Sequence, residues 1–114
     1  MDLFTKSYIE TLLWSSSGEE TSPIGINASI DEISPELMER IKEDCKNFQS
    51  SNELHIGGCY HMAGHDFALT RNRHGAGFWD GDWDKLAATI LTDAAHAVGE
   101  ISLYRGDDNI IYAM

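Results

Sequence analysis

The side chains best suited to chemistry in this chain are crowded into residues 65–80. A histidine together with a carboxylate can perform general acid–base catalysis. His65, Asp66 and His74 are therefore the candidate catalytic residues. The chain contains no recognisable nucleophile motif, phosphate loop or metalloprotease helix to accompany them. An enzyme is one hypothesis among several, and no cofactor is expected.

A metal site is a second hypothesis, because zinc-type ligands lie just upstream of and within this stretch. Cys59, His61 and His65 occur in a short span, in the order C-x-H-x3-H. That spacing matches no standard structural zinc pattern, and neither cysteine belongs to a CxxC pair. Metal binding is kept as an alternative that depends on these three residues.

Residues 65–80 also contain the one cluster in which basic and aromatic side chains occur together. Such a cluster could stack a base and neutralise phosphates of single-stranded nucleic acid. No basic stripe extends it, and the charge of the whole chain disfavours nucleic acid as a partner. As a surface for a macromolecular partner, the predicted binding residues are Arg71, Asn72, Arg73, His74, Phe78, Trp79 and Asp80.

Charge is the strongest global feature of the chain. It carries 19 acidic and 8 basic residues, for a formal net charge of −11. Such a surface repels nucleic acid and membranes and attracts basic proteins. Two interpretations are open: acidity that only confers solubility, and an acidic face that competes with nucleic acid for a basic partner. The acids concerned are Glu19, Glu20, Asp31, Glu32, Glu36, Glu39, Glu43, Asp44, Asp80, Asp82, Asp84, Asp107 and Asp108.

The length of 114 residues predicts one domain, residues 1–114, that is large enough to bury a core. No apolar run approaches the ~20 residues that span a bilayer, and no signal peptide is recognised at the N-terminus. A cytoplasmic location without a membrane partner is therefore expected. Cys45 and Cys59 fit no disulfide framework and are predicted to be free thiols.

The pattern of residues 66–80 predicts a β-hairpin that would present the candidate residues at its tip. Phe67 and Leu69 alternate with polar or small residues, which is typical of a half-buried strand. Residues 72–75 have a turn composition, and residues 76–79 would form the returning strand. The tip would then carry the polar groups.

Three helices and a second hairpin are predicted around this element. A helix covers residues 2–15, and a polar surface connection follows over residues 15–23. Ser34 and Pro35 begin a second helix that ends near residues 50–52, with Cys45 on its buried stripe. A third helix runs from a cap at Gly81 or Asp82 to Gly99, and residues 100–113 form the second hairpin. The predicted class is α+β, an antiparallel sheet of about four strands packed on three helices in the order α-α-β-β-α-β-β.

Residues 65–80 resemble a segment that recurs in small acidic proteins of bacteriophages and related mobile elements. The segment has the form HDFxLTRNxHGAGFWD, and the likeness extends more loosely to residues 8–15 and 103–108. This family is uncharacterised, so the resemblance implies a phage-type origin rather than an activity.

The expected function is that of a small acidic phage-type accessory protein in the host cytoplasm. It would bind and modulate a host protein with a basic surface, such as a nucleic-acid-handling or defence factor. The alternatives are a metal-binding or acid–base enzyme that uses the 65–80 hairpin, and a single-stranded nucleic-acid-binding protein that uses the hairpin tip. The sequence does not indicate the oligomeric state.

Overall fold

The computed structural model describes residues 1–16, 24 and 28–114. The predicted surface connection lies mostly outside these residues. A short 3₁₀ turn, Ile30–Glu32, separates the first two helices. None of the helices in the described part of the chain has the length and apolarity that crossing a bilayer requires. The elements are α1 (Leu3–Ser16), α2 (Pro35–Ile56), α3 (Tyr60–Arg71), α4 (Lys85–Val98), β1 (Leu103–Arg105) and β2 (Ile111–Ala113).

The predicted four-stranded sheet is wrong. Within the described residues the sheet has two strands, β1 and β2, which pair antiparallel with Tyr104 opposite Tyr112. The predicted hairpin over residues 66–80 is absent. Its first half belongs to α3, and residues 72–84 form a loop that leads into α4. The order of elements is therefore α-α-α-α-β-β.

The alternation in residues 66–70 predicts a strand, but these residues belong to α3, which is buried on most sides. Phe67 and Leu69 alternate in sequence with Asp66 and Thr70, yet all four side chains are buried. A helix that is covered all round loses the 3.6-residue rhythm of polar and apolar positions. Its buried polar groups have hydrogen-bond partners in other parts of the chain, as buried polar groups require.

Helices α1 and α3 cross at a very close contact. Gly64 lies against the carbonyl oxygen of Phe4, and a Cβ at this position would overlap that oxygen. The Ser7 hydroxyl donates to the His61 carbonyl oxygen at 2.7 Å and fixes the same crossing. Aromatic rings fill the space beside it, and those of Phe48 and Phe67 stack with centroids 4.1 Å apart. This packing places α3 in the centre of the molecule.

The predicted start of α2 is confirmed. The Ser34 hydroxyl accepts a hydrogen bond from the Leu37 amide at 3.1 Å, and Pro35 is the first helical residue. Cys45 is fully buried on the inner stripe of the helix, also as predicted. The helix is predicted to end near residues 50–52 but continues to Ile56. Asn52 has non-helical dihedral angles, so the helix is kinked at this residue.

The start of α4 differs from the prediction by a few residues. Asp84, rather than Gly81 or Asp82, is the N-cap, and its Oδ1 accepts a hydrogen bond from the Ala87 amide at 2.9 Å. Gly99 follows the helix with a φ of +90°, in the region that favours glycine. The later start leaves the residues before Asp84 in the loop.

The second predicted hairpin is confirmed as β1 and β2. Ile33 forms a parallel bridge with Ile111, so the hairpin joins the segment that enters α2. Arg105 fixes the hairpin further, because its Nη1 lies 2.7 Å from a carboxylate oxygen of Glu32 and its Nη2 donates to the Ile24 carbonyl oxygen at 2.5 Å.

Candidate functional site

The structure divides the predicted binding residues between the core and the surface. Arg71 and Phe78 are buried, and Asn72 is partly buried with its Oδ1 accepting a hydrogen bond from the Ile101 amide at 2.8 Å. The exposed members are Arg73, His74, Trp79 and Asp80. The set therefore does not form one hairpin tip, because the hairpin itself does not exist.

Arg71 occupies the centre of the molecule with only 1% of its surface exposed. Its Nε donates to the Gly99 carbonyl oxygen at 2.8 Å, and its Nη1 donates to the Tyr8 hydroxyl and to Asp44 Oδ2, both at 2.9 Å. The guanidinium also lies 5.5 Å from the centre of the Phe67 ring. We call this set the Arg71 network. Arg71 joins α1, α2 and α3 to the residue that follows α4, so this cation stabilises the fold and is not accessible to a ligand.

The end of α3 turns His74 away from the other catalytic candidates. Arg73 has a φ of +53°, and the His74 amide donates to the Leu69 carbonyl oxygen at 2.9 Å, which is a Schellman-type helix end. His74 then borders a cavity together with Asn72, whereas His65 borders a different one. His74 therefore does not join the acid–base pair.

His65 and Asp66 do form a pair. His65 Nδ1 lies 3.0 Å from Asp66 Oδ1, with 45% of the histidine side chain exposed against 6% of the aspartate. The other carboxylate oxygen, Oδ2, accepts a hydrogen bond from Trp83 Nε1 at 2.7 Å. A buried carboxylate that orients a half-exposed imidazole is an arrangement used in acid–base catalysis. The imidazole faces a cavity of about 270 Å³ that is also lined by Glu10, Thr11 and Trp14.

The metal candidates lie at the start of α3. Cys59 and His61 are exposed, and His61 and His65 are one helical turn apart. Within residues 1–16, 24 and 28–114, however, no group of three or more His, Cys, Asp or Glu side chains is placed to hold a metal ion. The structure thus offers no ligand set around these residues.

A larger cavity, of about 480 Å³, lies between the loop after α3 and the surface of α4. The loop contributes Trp79 and Trp83, and α4 contributes Lys85, Thr92 and Asp93. We call this cavity the tryptophan cleft. The sequence identifies only Trp79 of its two rings as a site residue and none of the α4 residues that line it.

The two rings of the tryptophan cleft are held differently. Trp83 is fixed by its hydrogen bond to Asp66 and by an edge-on contact with Phe78, whose ring centroid is 5.5 Å away. Trp79 lies over Gly77, where any Cβ would overlap its ring, and 44% of its surface remains exposed. One indole is therefore anchored and the other is accessible to a ligand.

The polar groups of the tryptophan cleft are largely unused by the fold. Thr92 Oγ1 is buried and has no hydrogen-bond partner among the described residues. Over the same residues the side chains of Lys85 and Asp93 make no hydrogen bond or ion pair. Eight residues of helix separate these two charges, about 12 Å along the axis. Had Asp84 been recognised as the N-cap, Trp83 would have been placed outside the helix and beside these groups.

The exposed charges of the described residues are predominantly negative. Arg71 is buried and Arg105 is largely covered, so neither offsets the acids at the surface. Glu19 and Glu20 lie outside the described residues. The exposed bases are Lys6, Arg40, Lys42, Lys46, Arg73 and Lys85. The exposed acids are Asp2, Glu10, Asp31, Glu36, Glu39, Glu43, Glu53, Asp80, Asp82, Asp84, Asp93, Glu100, Asp107 and Asp108.

Comparison with protein-family models, with curated proteins and with solved structures gives no match for this chain. The resemblance of residues 65–80 to phage-type proteins therefore stays a prediction.

Proposed function

We propose that this chain is a small acidic binding protein that engages and modulates a partner with a basic surface. The observation that carries the proposal is the distribution of charge. Arg71 and Arg105 form ion pairs within the protein and are largely covered. In the described part of the chain, the exposed acidic residues outnumber the exposed basic residues. The field outside the molecule is correspondingly negative.

Such a field acts before contact is made. Complementary charges raise association rates by roughly 10- to 1,000-fold, and salt removes the effect because the screening length is about 8 Å at physiological ionic strength. A basic nucleic-acid-handling or defence protein is the natural partner, since this chain would compete with nucleic acid for the same basic surface. The phage-type resemblance of residues 65–80 supports a host protein as the target.

The region around the tryptophan cleft is the more suitable contact surface. Asp80, Asp82 and Asp84 are exposed on the loop, and the one base that adjoins them in sequence is Lys85. On α2, by contrast, the acids are interleaved with Arg40, Lys42 and Lys46, so much of their field cancels. Charge removal at the loop should therefore weaken steering more than equal removal on α2.

The test is capture of partners from a bacterial lysate on the immobilised full chain at rising salt, followed by association kinetics with the purified partner. Two matched variants each remove two charges, Asp80→Asn with Asp82→Asn on the loop, and Glu39→Gln with Glu43→Gln on α2. We expect a basic partner that is released by salt, and an association rate that falls about twofold or more in the first variant and less in the second. Capture that is indifferent to salt, or equal rates for all three proteins, contradicts the proposal.

The His65–Asp66 pair supports a second candidate, acid–base chemistry in the cavity that His65 borders. The 3.0 Å contact orients the imidazole, leaving Nε2 as the atom that would accept or donate a proton. Hydrolysis of an activated ester is the probe, with His65→Ala and His74→Ala as a matched pair. Loss of turnover in His65→Ala alone supports this candidate, and equal background in all proteins removes it.

A further inference from the structure

We propose that the tryptophan cleft binds an arginine side chain from a basic segment of the partner. This inference rests on the proposed function and deepens it, because it names the side chain that the acidic protein recognises. The arginine site is a defined cavity, whereas the proposed function depends on the overall charge. Separate experiments can therefore test the two proposals.

The aromatic wall of the cleft is suited to a planar cation. An arginine guanidinium stacks on an indole ring through both cation–π attraction and flat contact, and tryptophan is the best aromatic partner for such a cation. Trp83 is held by Asp66 at 2.7 Å and does not need to be ordered on binding. Trp79 is accessible and lies against the backbone at Gly77.

The helical wall supplies the hydrogen-bond acceptors that a guanidinium needs. Asp93 has a carboxylate without a partner in the described part of the chain, and carboxylates bind guanidinium groups with two parallel hydrogen bonds. The buried Thr92 hydroxyl beside it also lacks a partner over residues 1–16, 24 and 28–114. Because this oxygen is buried, a ligand can reach it only after the Thr92 side chain turns toward the cleft, so the exposed Asp93 carboxylate is the principal acceptor.

The charges around the cleft select a cation over an anion. Asp80, Asp82 and Asp84 are exposed and alternate along the loop with the lining residues Trp79, Gly81 and Trp83, and Asp93 lies on the helical wall. The one base lining the cleft, Lys85, is about 12 Å from Asp93 along the helix, too far to neutralise it directly. A phosphate or carboxylate ligand would meet net repulsion here, whereas the side chain of a basic partner would not.

Arginine is favoured over lysine by the geometry of the acceptors. A guanidinium presents five N–H donors in a fixed plane, so it can stack on Trp79 while bonding both carboxylate oxygens of Asp93. An ammonium is a compact, strongly hydrated charge that gains less from stacking. Two peptides of equal charge should therefore be distinguished by the cleft and not by a diffuse acidic surface.

The experiment measures binding of three fluorescent peptides to the full chain by anisotropy at low salt. The peptides share one glycine-rich sequence and carry arginine, lysine or citrulline, the neutral isostere of arginine, at the same positions. We expect the arginine peptide to bind tightest, and Trp79→Ala to weaken it by roughly 2- to 30-fold, the range of a cation–π contact. Asp93→Asn should weaken it as well, whereas its matched control Glu39→Gln should not remove the preference for arginine. Circular dichroism checks that each variant is folded.

The outcomes separate this inference from the function on which it rests. Equal binding of the arginine and lysine peptides, unchanged in Trp79→Ala and in Asp93→Asn, overturns the arginine site while leaving an acidic protein that binds basic partners. Binding of neither peptide also overturns the arginine site, and the salt-dependent capture then decides the broader proposal. A citrulline peptide that binds as well as the arginine peptide shows that the cleft does not recognise a cation.

Discussion

The Arg71 network and the tryptophan cleft each take one side chain from residues 65–80, Arg71 and Trp79, and use it in opposite ways. In the network, a cation is enclosed in the core and all the contacts that hold it come from this chain. In the cleft, Trp79 is exposed and the acceptor groups of α4 are left without partners in the described part of the chain. The comparison teaches that residue type does not reveal a role. What matters is how many of a side chain's bonds the fold has already satisfied.

The largest effect is expected when the Arg71 network is broken. Arg71→Met leaves the Tyr8 hydroxyl, the Gly99 carbonyl oxygen and the partly exposed Asp44 carboxylate without the Arg71 donor, and each buried polar group left unsatisfied costs about 1–3 kcal/mol. The matched control is Arg73→Met, two residues further on, whose guanidinium is exposed and 3.9 Å from Glu100. That control should cost less than about 1 kcal/mol.

The measurement is the free energy of unfolding in urea for the two arginine variants. A large loss in Arg71→Met alone supports the division between a structural cation and an exposed one. Similar losses in both variants would contradict it.

A smaller effect is expected at the crossing that brings α3 into the core. Gly64→Ala forces a Cβ against the Phe4 carbonyl oxygen, so the helices must separate at a cost of about 1–3 kcal/mol. Gly75→Ala is the matched control, because a Cβ there meets no atom within 4 Å. Thermal unfolding of the two variants provides the measurement, and an unchanged midpoint for Gly64→Ala would show that the crossing is looser than described.

Per pH unit, the smallest effect is expected in the dependence of stability on pH. Burial raises the pKa of the Cys45 thiol to about 12 and also raises the pKa of the Tyr8 phenol. Between about pH 9 and 12 the unfolded chain releases the thiol proton and the folded chain retains it. Stability is therefore lost as the pH rises through this window, by up to about 1.4 kcal/mol per pH unit for this thiol.

Urea unfolding between pH 8 and 11 measures this slope. Cys45→Ala should flatten it, even though the substitution lowers stability at every pH by leaving a small cavity. Cys59→Ala is the control, because Cys59 is exposed. A slope that is the same in wild type and in Cys45→Ala would show that the thiol is not retained in its protonated form by burial.

Features with a local signal were predictable from the sequence. The N-cap at Ser34, the buried stripe of α2 that includes Cys45, and the final hairpin were predicted and are present. Each depends on residues close together in the chain, where capping, helical period and turn composition act directly.

Features that depend on distant contacts were not predictable. The burial of Arg71 requires Tyr8 and Asp44, which lie 63 and 27 residues away. The burial of α3 on most sides erased the pattern that marks a helix, so its alternation was mistaken for a strand. The cleft is not predictable for the same reason, because Trp79 lines one cavity with Thr92 and Asp93 only after the loop folds against α4.

The most direct test of the account follows the indole N–H signals of the three tryptophans by NMR while the arginine peptide is added to the full chain. We expect the signal of Trp79 and the amide signals of Thr92 and Asp93 to shift with one common affinity. The indole signal of Trp14, which is 64% exposed on α1, should remain in place. Shifts at Trp14 or along α2 without any at Trp79 would contradict the assignment of the cleft as the site of recognition.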